Sequence, residues 1–401
     1  MHAKIYLYSF CTLILTGCNE HITSDKPIFE KTIIIENTLG IDRPYETISL
    51  TRNELELESE DDLLQLAVRD IESDTYVIHQ HVDSDGDGKV DQILFQHSLQ
   101  PFEKHIFRIV PITPGSKPTD TLRAYSRFVP ERTDDYAWEN DRVAFRTYGP
   151  KAEQMVRTGE EGGTLSSGID CWLKRVEYPV INKWYAAYLQ DPMAYHIDTG
   201  EGLDNYHVGK SRGCGGIAKK ENGTYQVSNN FVRWKTITNG PIRTSFRLEY
   251  GTWTTDSTAI TEVKNISLDY GSNLSRYEVH LKGTPTISAG LTLHEDTGKV
   301  QFSPNYKWLS YWEPHEDSEL GTAIVVPETY YLDHDIFRTP QKDLSNAYAT
   351  MKVLDKKVVY YAGFGWKKSG QFTGQESWEK YLNVFALRLA SPIKITIQKN
   401  K

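Results

Sequence analysis

The densest group of chemically capable side chains in this sequence lies between residues 170 and 216. From Tyr195 to Gly216 the chain combines histidines, acids, tyrosines, a lysine and an arginine with closely spaced glycines. This spacing predicts a tightly folded loop rather than a core strand or a long helix, and such loops commonly carry binding or catalytic groups. The alternative is a glycine-rich structural loop whose charged side chains are only solvated.

Two further uses of these residues stay open at this point. His196 and Asp198 could bind a metal together with His207 or Asp204, although their spacing matches no standard zinc signature. His294 follows a predicted strand and is either a buried, hydrogen-bonded strand histidine or a functional one.

An acidic segment over residues 83–91 predicts a calcium loop. Carboxylates occupy positions 1, 3, 5 and 9 of an EF-hand-like pattern, and Gly88 at position 6 permits the sharp turn. Position 12 is Leu94 instead of glutamate, so the loop is abbreviated. We expect structural Ca²⁺ here, stapling a hairpin tip, rather than a merely acidic turn. The predicted metal residues are Asp83, Asp85, Asp87, Lys89 and Asp91.

The first residues read as an export signal. A short apolar run within residues 1–17 is too short to span a bilayer, and Leu15 to Cys18 resembles a bacterial lipobox. We therefore expect lipidation of Cys18 and a polar tether over residues 18–26. The alternative is an ordinary signal peptide followed by a chance cysteine. Lipidation would anchor the protein to the bacterial cell envelope, at the periplasmic or surface face of the outer membrane, with no other membrane contact.

Composition excludes several classes of function. Lys plus Arg number 45 and Asp plus Glu number 54, which gives a formal charge of −9 and no general attraction to nucleic acid. Beyond the signal and Cys18, only Cys171 and Cys214 remain, so there is no disulfide framework and no structural zinc motif. These two cysteines either pair or remain buried thiols.

Short β-branched segments, such as Thr32–Glu36 and Ile242–Tyr250, are punctuated by turn residues and predict a mostly β protein of sandwich architecture. Long helical periodicity is scarce, and the best helix candidates are residues 60–66, 174–189 and 375–381. A shift to Pro, Gly, Ser and Thr near residues 115–121 predicts a domain boundary. We expect a small N-terminal β-sandwich over residues 27–113, with the calcium loop, and a larger β-sandwich over 120–398 that carries the active site.

Several strings resemble one bacterial family. They are Trp138–Pro150, Ser167–Trp172, Tyr195–Gly216, Gly363–Gly370 and Phe385–Pro392. With them the chain resembles the ulvan oligosaccharide dehydratase family, long called a domain of unknown function, whose members are galactose-mutarotase-like β-sandwich proteins of polysaccharide-utilisation loci. The resemblance implies removal of water from a glucuronate or iduronate at the non-reducing end of a sulfated oligosaccharide, giving a 4,5-unsaturated uronate without an organic cofactor.

This β-elimination requires three tasks. The uronate carboxylate must be neutralised, a base must take the proton from carbon 5, and an acid must protonate the leaving hydroxyl. Arginine pairs with a carboxylate in a bidentate fork, so Arg212 is the first candidate, with Lys174 and Arg175 in reserve. The base is expected to be His207 or His294, and the acid Tyr195 or Tyr206, or the reverse. Trp172 and Trp366 are candidate sugar platforms, and His196 a candidate substrate-binding residue.

Three other functions stay open beside the dehydratase. A polysaccharide lyase would use the same elimination but would shorten the glycan. An epimerase or mutarotase, with His294 or Glu295, would give no unsaturated product. A glycan-binding lipoprotein would perform no chemistry, yet binding alone rarely needs so many titratable groups.

Overall fold

The computed structural model describes residues 29–58, 62–113, 115, 121–294 and 296–399. The expected signal peptide, the tether and Cys18 lie outside these residues. Within the described part of the chain, no helix is both long enough and apolar enough to cross a lipid bilayer. The prediction of a mostly β protein is confirmed.

Strands account for most of the regular structure. The strands of the first part of the chain are β1 (Lys31–Glu36), β2 (Arg43–Thr51), β3 (Leu66–Asp70), β4 (His79–Val82), β5 (Gln92–Leu99), β6 (Lys104–Pro111), β7 (Tyr125–Val129), β8 (Asp135–Glu139), β9 (Ala144–Thr147), β10 (Asp170–Lys174), β11 (Gly202–Leu203), β12 (Cys214–Glu221) and β13 (Thr224–Gln226). Those of the second part are β14 (Phe231–Thr238), β15 (Arg243–Tyr250), β16 (Trp253–Thr254), β17 (Ala259–Asp269), β18 (Leu274–Lys282), β19 (Thr286–Thr292), β20 (Lys299–Ser303), β21 (Trp308–His315), β22 (Ser318–Val325), β23 (Tyr331–Phe337), β24 (Asn346–Lys352), β25 (Lys357–Trp366) and β26 (Lys394–Lys399).

The described residues form three α-helices, α1 (Pro150–Thr158), α2 (Ile181–Tyr188) and α3 (Gln375–Ala390), with single 3-10 turns at Leu63–Gln65, Ala194–His196 and Lys367–Ser369. The helix expected at 375–381 is confirmed and continues to residue 390. The helix expected at 174–189 begins only at residue 181, because Pro179 and strand β10 precede it. At 60–66 the described residues hold one 3-10 turn, after which strand β3 begins.

A small sandwich joins two sheets, with strand orders β26-β1-β6-β3 and β2-β5-β4. Its core faces follow the two-residue period of a strand, as in β6, where His105, Phe107 and Ile109 are buried and their neighbours are not. Ile33, Phe95 and Phe107 belong to one apolar core between the sheets.

The predicted C-terminal boundary of the large domain is wrong. Strand β26 pairs antiparallel with β1, from Lys31 opposite Lys399 to Glu36 opposite Lys394. Ile393 and Ile397 pack against the small sandwich core. The last strand therefore belongs to the N-terminal sandwich, and both ends of the described chain meet in one sheet.

The large sandwich contains three sheets that share one apolar core. The long sheet runs β14-β15-β17-β18-β25-β22-β21-β20, with β16 beside β17. Two five-stranded sheets, β11-β10-β9-β8-β7 and β13-β12-β19-β24-β23, contribute the other faces. Strand pairing places Arg146 opposite Asp170, and the segment between β11 and β12 crosses beside this pair.

Candidate active-site cleft

A cleft of about 790 Å³ opens on the large sandwich. Three of the predicted site residues, His196, Tyr206 and His207, line it together. The sequence prediction of a site in the 195–216 loop is therefore matched by a cavity at that loop. Its other polar lining residues are Arg132, Arg146, Tyr148, Thr164, Asp204, Asn205, Lys210, Lys342 and Asp343.

His207 forms a dyad with Asp343. Its Nε2 lies 3.1 Å from Asp343 Oδ1, and the His207 side chain is 56% exposed. A carboxylate accepts hydrogen bonds, so Nε2 donates to it, and in a neutral imidazole Nδ1 then carries the lone pair. An exposed imidazole oriented by a carboxylate is the arrangement of a general base.

Gly209 allows this dyad to close. Its φ is +50°, in the left-handed region, and a Cβ there would lie 2.0 Å from Asp343 Oδ2 and 2.8 Å from His207 Nε2. Any side chain at residue 209 would therefore push the two partners apart.

His294 lies behind the dyad rather than in the cleft lining. Its Nε2 donates to the backbone carbonyl of His207 at 2.8 Å, and its Nδ1 lies 2.6 Å from Glu313 Oε1. Burial alone would lower the pKa of His294, but the Glu313 carboxylate and the His207 carbonyl raise it above its ordinary value. In its protonated form His294 donates from both nitrogens and holds the loop in place. Of the two histidines proposed as base, only His207 lines the cleft.

A buried charge network forms the floor of the cleft. Arg146 donates from Nε to Asp170 Oδ2 at 2.9 Å and from Nη2 to Asp204 Oδ2 at 2.9 Å. Its Nη1 lies 3.7 Å from Asp135 Oδ2. Burial raises the pKa of Asp170 well above its usual range, and raises that of Asp135 to about 6. The network positions one guanidinium rigidly beneath the cleft.

Tyr195 and Tyr148 border this network differently. The Tyr195 hydroxyl lies 3.4 Å from both Arg132 Nε and Arg146 Nη1, and its ring packs against Trp172. Tyr148 lines the cleft itself, and its hydroxyl lies 3.4 Å from Asp170 Oδ2. Burial raises the pKa of the Tyr148 phenol well above its ordinary value, so the group stays protonated and able to donate. Tyr148 is thus a third candidate acid.

Tyr206 lines the cleft with its ring, but its hydroxyl is buried. Burial, and then the thiols of Cys171 and Cys214, raise the pKa of this phenol. Both cysteines are buried, unbonded thiols, so they do not form a disulfide. The ring of Tyr206 meets the ring of His294 edge to face at 4.7 Å, which supports the loop from within.

Free cations lie at the cleft rim. Lys210 and Lys342 are exposed and line the cleft, and neither forms an ion pair with another residue that the structure describes. Arg132 adds a third positive charge beside the Tyr195 hydroxyl. This local charge offsets the acidic character of the whole chain and suits an anionic ligand.

Three cations predicted for substrate carboxylate binding lie elsewhere. Arg212 is 1% exposed, and its guanidinium donates to Ser167 Oγ at 2.9 Å and to the Lys210 carbonyl at 3.2 Å. Lys174 is completely buried. Its ammonium donates three hydrogen bonds, to Glu139, to the Asn140 carbonyl and to the Tyr178 carbonyl. Arg175 pairs with Asp198. Lys174 has no donor left for a ligand, and Arg212 is held by hydrogen bonds within the protein, outside the cleft lining.

The two predicted tryptophan platforms are core residues. Trp172 is 0% exposed and Trp366 is 3% exposed, so neither presents an indole face to the cleft. The strand alternation places both inward, where they pack in the apolar core.

The metal site predicted in the 195–216 loop, with His196 and Asp198 as ligands, is not assembled. Among the described residues, those near His196 form no cluster of three metal-ligating groups, and His196 Nδ1 bonds the Asp204 carbonyl.

The acidic loop brings its first three carboxylates together. One oxygen each of Asp83, Asp85 and Asp87 lie within 4.8 Å of one another, which suits an oxygen-coordinated cation. Asp91 instead accepts from Ser84 N and Oγ, the latter at 2.6 Å. The Lys89 side chain is exposed, so residue 89 has only its carbonyl to offer, as position 7 of such loops does.

Sequence reasoning missed several cleft residues. Arg146 and Tyr148 lie in the Trp138–Pro150 string, and Asp170 lies in the Ser167–Trp172 string. Both strings were noted for the family resemblance, but no role was given to these three residues. Arg132, Lys342 and Asp343 lie far from the loop in sequence, and only the fold brings them to it.

Comparisons with known proteins agree with this fold. A family model described as a domain of unknown function (DUF4861) matches residues 35–395. "Uncharacterized protein P7" of Formosa agariphila is 48% identical over 367 residues, which cover 91% of this chain and 93% of that protein. A solved structure of a protein in the glycosyl hydrolase family 38 from Enterococcus faecalis aligns with a TM-score of 0.55 at 10% identity, over 94% of this chain and 48% of that one. That likeness concerns the fold, and the chain spans about half the length of the solved protein. The chain belongs to the DUF4861 family.

Proposed function

We propose that this protein is a glycan-processing enzyme, and that it is a dehydratase of uronate-containing oligosaccharides such as those of ulvan. One observation carries the proposal: the His207–Asp343 dyad lines a cleft together with Lys210 and Lys342, which form no ion pair with any residue in the described part of the chain. A base beside a carboxylate-binding rim is what elimination alpha to a carboxylate requires. The β-sandwich likeness to a glycosyl hydrolase family 38 protein supports a carbohydrate ligand.

The reaction can be assigned to residues of the cleft. Lys210, Lys342 and Arg132 bind the uronate carboxylate and neighbouring sulfate, which stabilises the enolate-like charge that develops. His207 Nδ1 takes the proton from carbon 5, and Asp343 stabilises the imidazolium that results. Tyr148 donates a proton to the oxygen on carbon 4. The C4–O bond breaks, water leaves, and the electron pair of the C5–H bond becomes the C4=C5 double bond.

The remaining expectations complete the proposal. Cys18 would carry the lipid that holds the enzyme at the bacterial envelope, and Ca²⁺ would occupy the loop of residues 83–91 in a structural role. Neither is part of the chemical step.

The test is an assay on a defined oligomer of saturated uronate and rhamnose-3-sulfate. Loss of one water at constant chain length, with rising ultraviolet absorbance of an unsaturated uronate, is the expected result. New absorbance with shorter products would make the protein a lyase, since that elimination expels a sugar instead of water. No change in mass or absorbance would contradict both activities on this substrate, and isotope exchange at carbon 5 would then test epimerisation.

A further inference from the structure

A second group of metal-ligating side chains lies in the small sandwich, away from the cleft. Asp70, His97 and His105 each present one donor atom, and these atoms all lie within 4.8 Å of one another. His105 Nε2 lies 2.8 Å from Asp70 Oδ2. The rings of His97 and His105 lie 4.1 Å apart between centroids.

The positions of these residues are unusual for polar side chains. His97 shares a strand face with Phe95 and Leu99, and His105 shares one with Phe107 and Ile109. Asp70 ends strand β3 on the face of Leu66 and Val68. All three therefore occupy core-facing positions. Burying a polar side chain there costs free energy unless a hydrogen bond or a metal ion pairs with it.

Hydrogen bonds inside the protein leave this group incomplete. Asp70 Oδ1 accepts from the backbone N–H groups of Glu72 and Ser73, at 2.8 and 3.1 Å, so Oδ2 is the oxygen left for the cluster. Within the described residues, the His97 ring has contacts with His105 and Phe107 but no hydrogen bond.

The surroundings also suit a cation. Glu72 and Glu103 lie 3.8 and 3.9 Å from His105 Nδ1, on the side away from Asp70. A carboxylate behind the second nitrogen is how metal-bound histidines are commonly oriented. Phe107 closes the apolar side of the group, at 4.8 Å from His105 and 5.1 Å from His97 between ring centroids.

We propose that Asp70, His97 and His105 bind one Zn²⁺, which staples the two sheets of the small sandwich. Two imidazoles and one carboxylate are a Zn²⁺ donor set, with a fourth position left for water. To place each donor about 2.0–2.2 Å from one metal, His105 and Asp70 separate slightly and His97 moves closer to them. Zn²⁺ replaces the proton shared by His105 and Asp70, and that proton goes to solvent. Because His97 comes from strand β5 and the other two from β3 and β6, the metal joins opposite sheets.

The test titrates ZnCl₂ into chelator-treated full chain, with excess CaCl₂ present to saturate the acidic loop. The variant is His97→Ala, chosen because this ring has no hydrogen bond to lose, and the control is His280→Ala, an exposed histidine beside Glu278 on the large sandwich. We expect one Zn²⁺ in wild type and control, and an affinity about 100-fold or more lower in His97→Ala. Co²⁺ should give the visible absorption of a bound, low-symmetry site only in the first two.

Melting temperature tests the staple. Saturating Zn²⁺ should raise it by about 2 °C or more in wild type and control and not in His97→Ala. Equal Zn²⁺ binding by all three proteins, or no binding by any, would overturn the site. Binding that depends on His97 but leaves the melting temperature unchanged would overturn the stapling role.

Discussion

His294 donates a hydrogen bond from Nε2 to the backbone carbonyl oxygen of His207, 2.8 Å away. Nδ1 of the same imidazole lies 2.6 Å from Glu313 Oε1, so one half-buried histidine ties strand β21 to the loop that carries the candidate base. Two histidines that look equivalent in sequence thus have separate tasks. In the proposed mechanism His207 exchanges the proton, while His294 holds the backbone of His207 in place.

Replacing His207 should abolish turnover while leaving the fold intact. We expect His207→Ala to lower kcat at least 10³-fold, because the base is lost, with little change in melting temperature, since the side chain is largely exposed. His280→Ala is the matched control, and its rate should equal wild type. Full activity of His207→Ala in the absorbance assay would remove His207 from the mechanism.

Asp343→Asn should lower kcat on the order of 10²-fold by removing the charge that stabilises the His207 imidazolium. Gly209→Ala should have a similar effect, because its Cβ would displace Asp343 from His207. The pH–rate profile separates these variants from a general loss of folding. A loss of rate with an unchanged profile in both would argue against the dyad.

Glu313→Gln should lower the pKa of His294, since the carboxylate is one of the groups that raise it. A raised pKa of His294 makes its contribution to the free energy of unfolding depend on pH. With a folded pKa above the unfolded value of about 6.5, the contribution of His294 is fully present below pH 6.5 and is lost as pH rises through the folded pKa. The variant should therefore lose stability mainly at acidic pH, measured by urea unfolding at several pH values. Equal losses at pH 5 and pH 9 would contradict a charged His294.

Arg146→Met should destabilise the protein by about 3–5 kcal/mol, because it leaves buried carboxylates without their cation. The control is Arg233→Met, which breaks an exposed pair with Glu249 and should cost under about 1 kcal/mol. Chemical denaturation measures both. A small effect of Arg146→Met would mean that the carboxylates are protonated or hydrated.

Removal of Ca²⁺ should lower the melting temperature more than it lowers the rate at moderate temperature, because the acidic loop lies outside the cleft lining. Asp85→Asn should reproduce this effect in buffer that contains Ca²⁺. A prompt, reversible loss of activity on chelation, with no change in melting temperature, would instead make the metal catalytic.

The fold class and the helix at 375–381 were predictable from the periodicity of apolar residues and from the turn-forming residues. Both signals depend only on residues that are close in sequence. The glycine-rich loop was recognisable for the same reason, and it does line the cleft. The sequence could not show in which direction each side chain points. Arg212 and Lys174 look like ligand-binding cations, but the fold turns both side chains inward to hydrogen-bond acceptors. Lys342 and Asp343 come to the cleft from a distant segment of the chain.

The pairing of β26 with β1 has a practical consequence for anyone cutting this molecule into fragments. A piece that contains only the large sandwich would still carry the Lys394–Lys399 strand, with no sheet to join and a bare edge open to other chains. A piece that stops at residue 113 would expose β1 in turn, along a backbone edge that β26 otherwise covers. The chain therefore leaves the large sandwich and returns to the small one, where its last strand pairs with its first. A cut near residue 392 that releases β26 should therefore leave the β1 edge exposed and the remaining protein prone to aggregation.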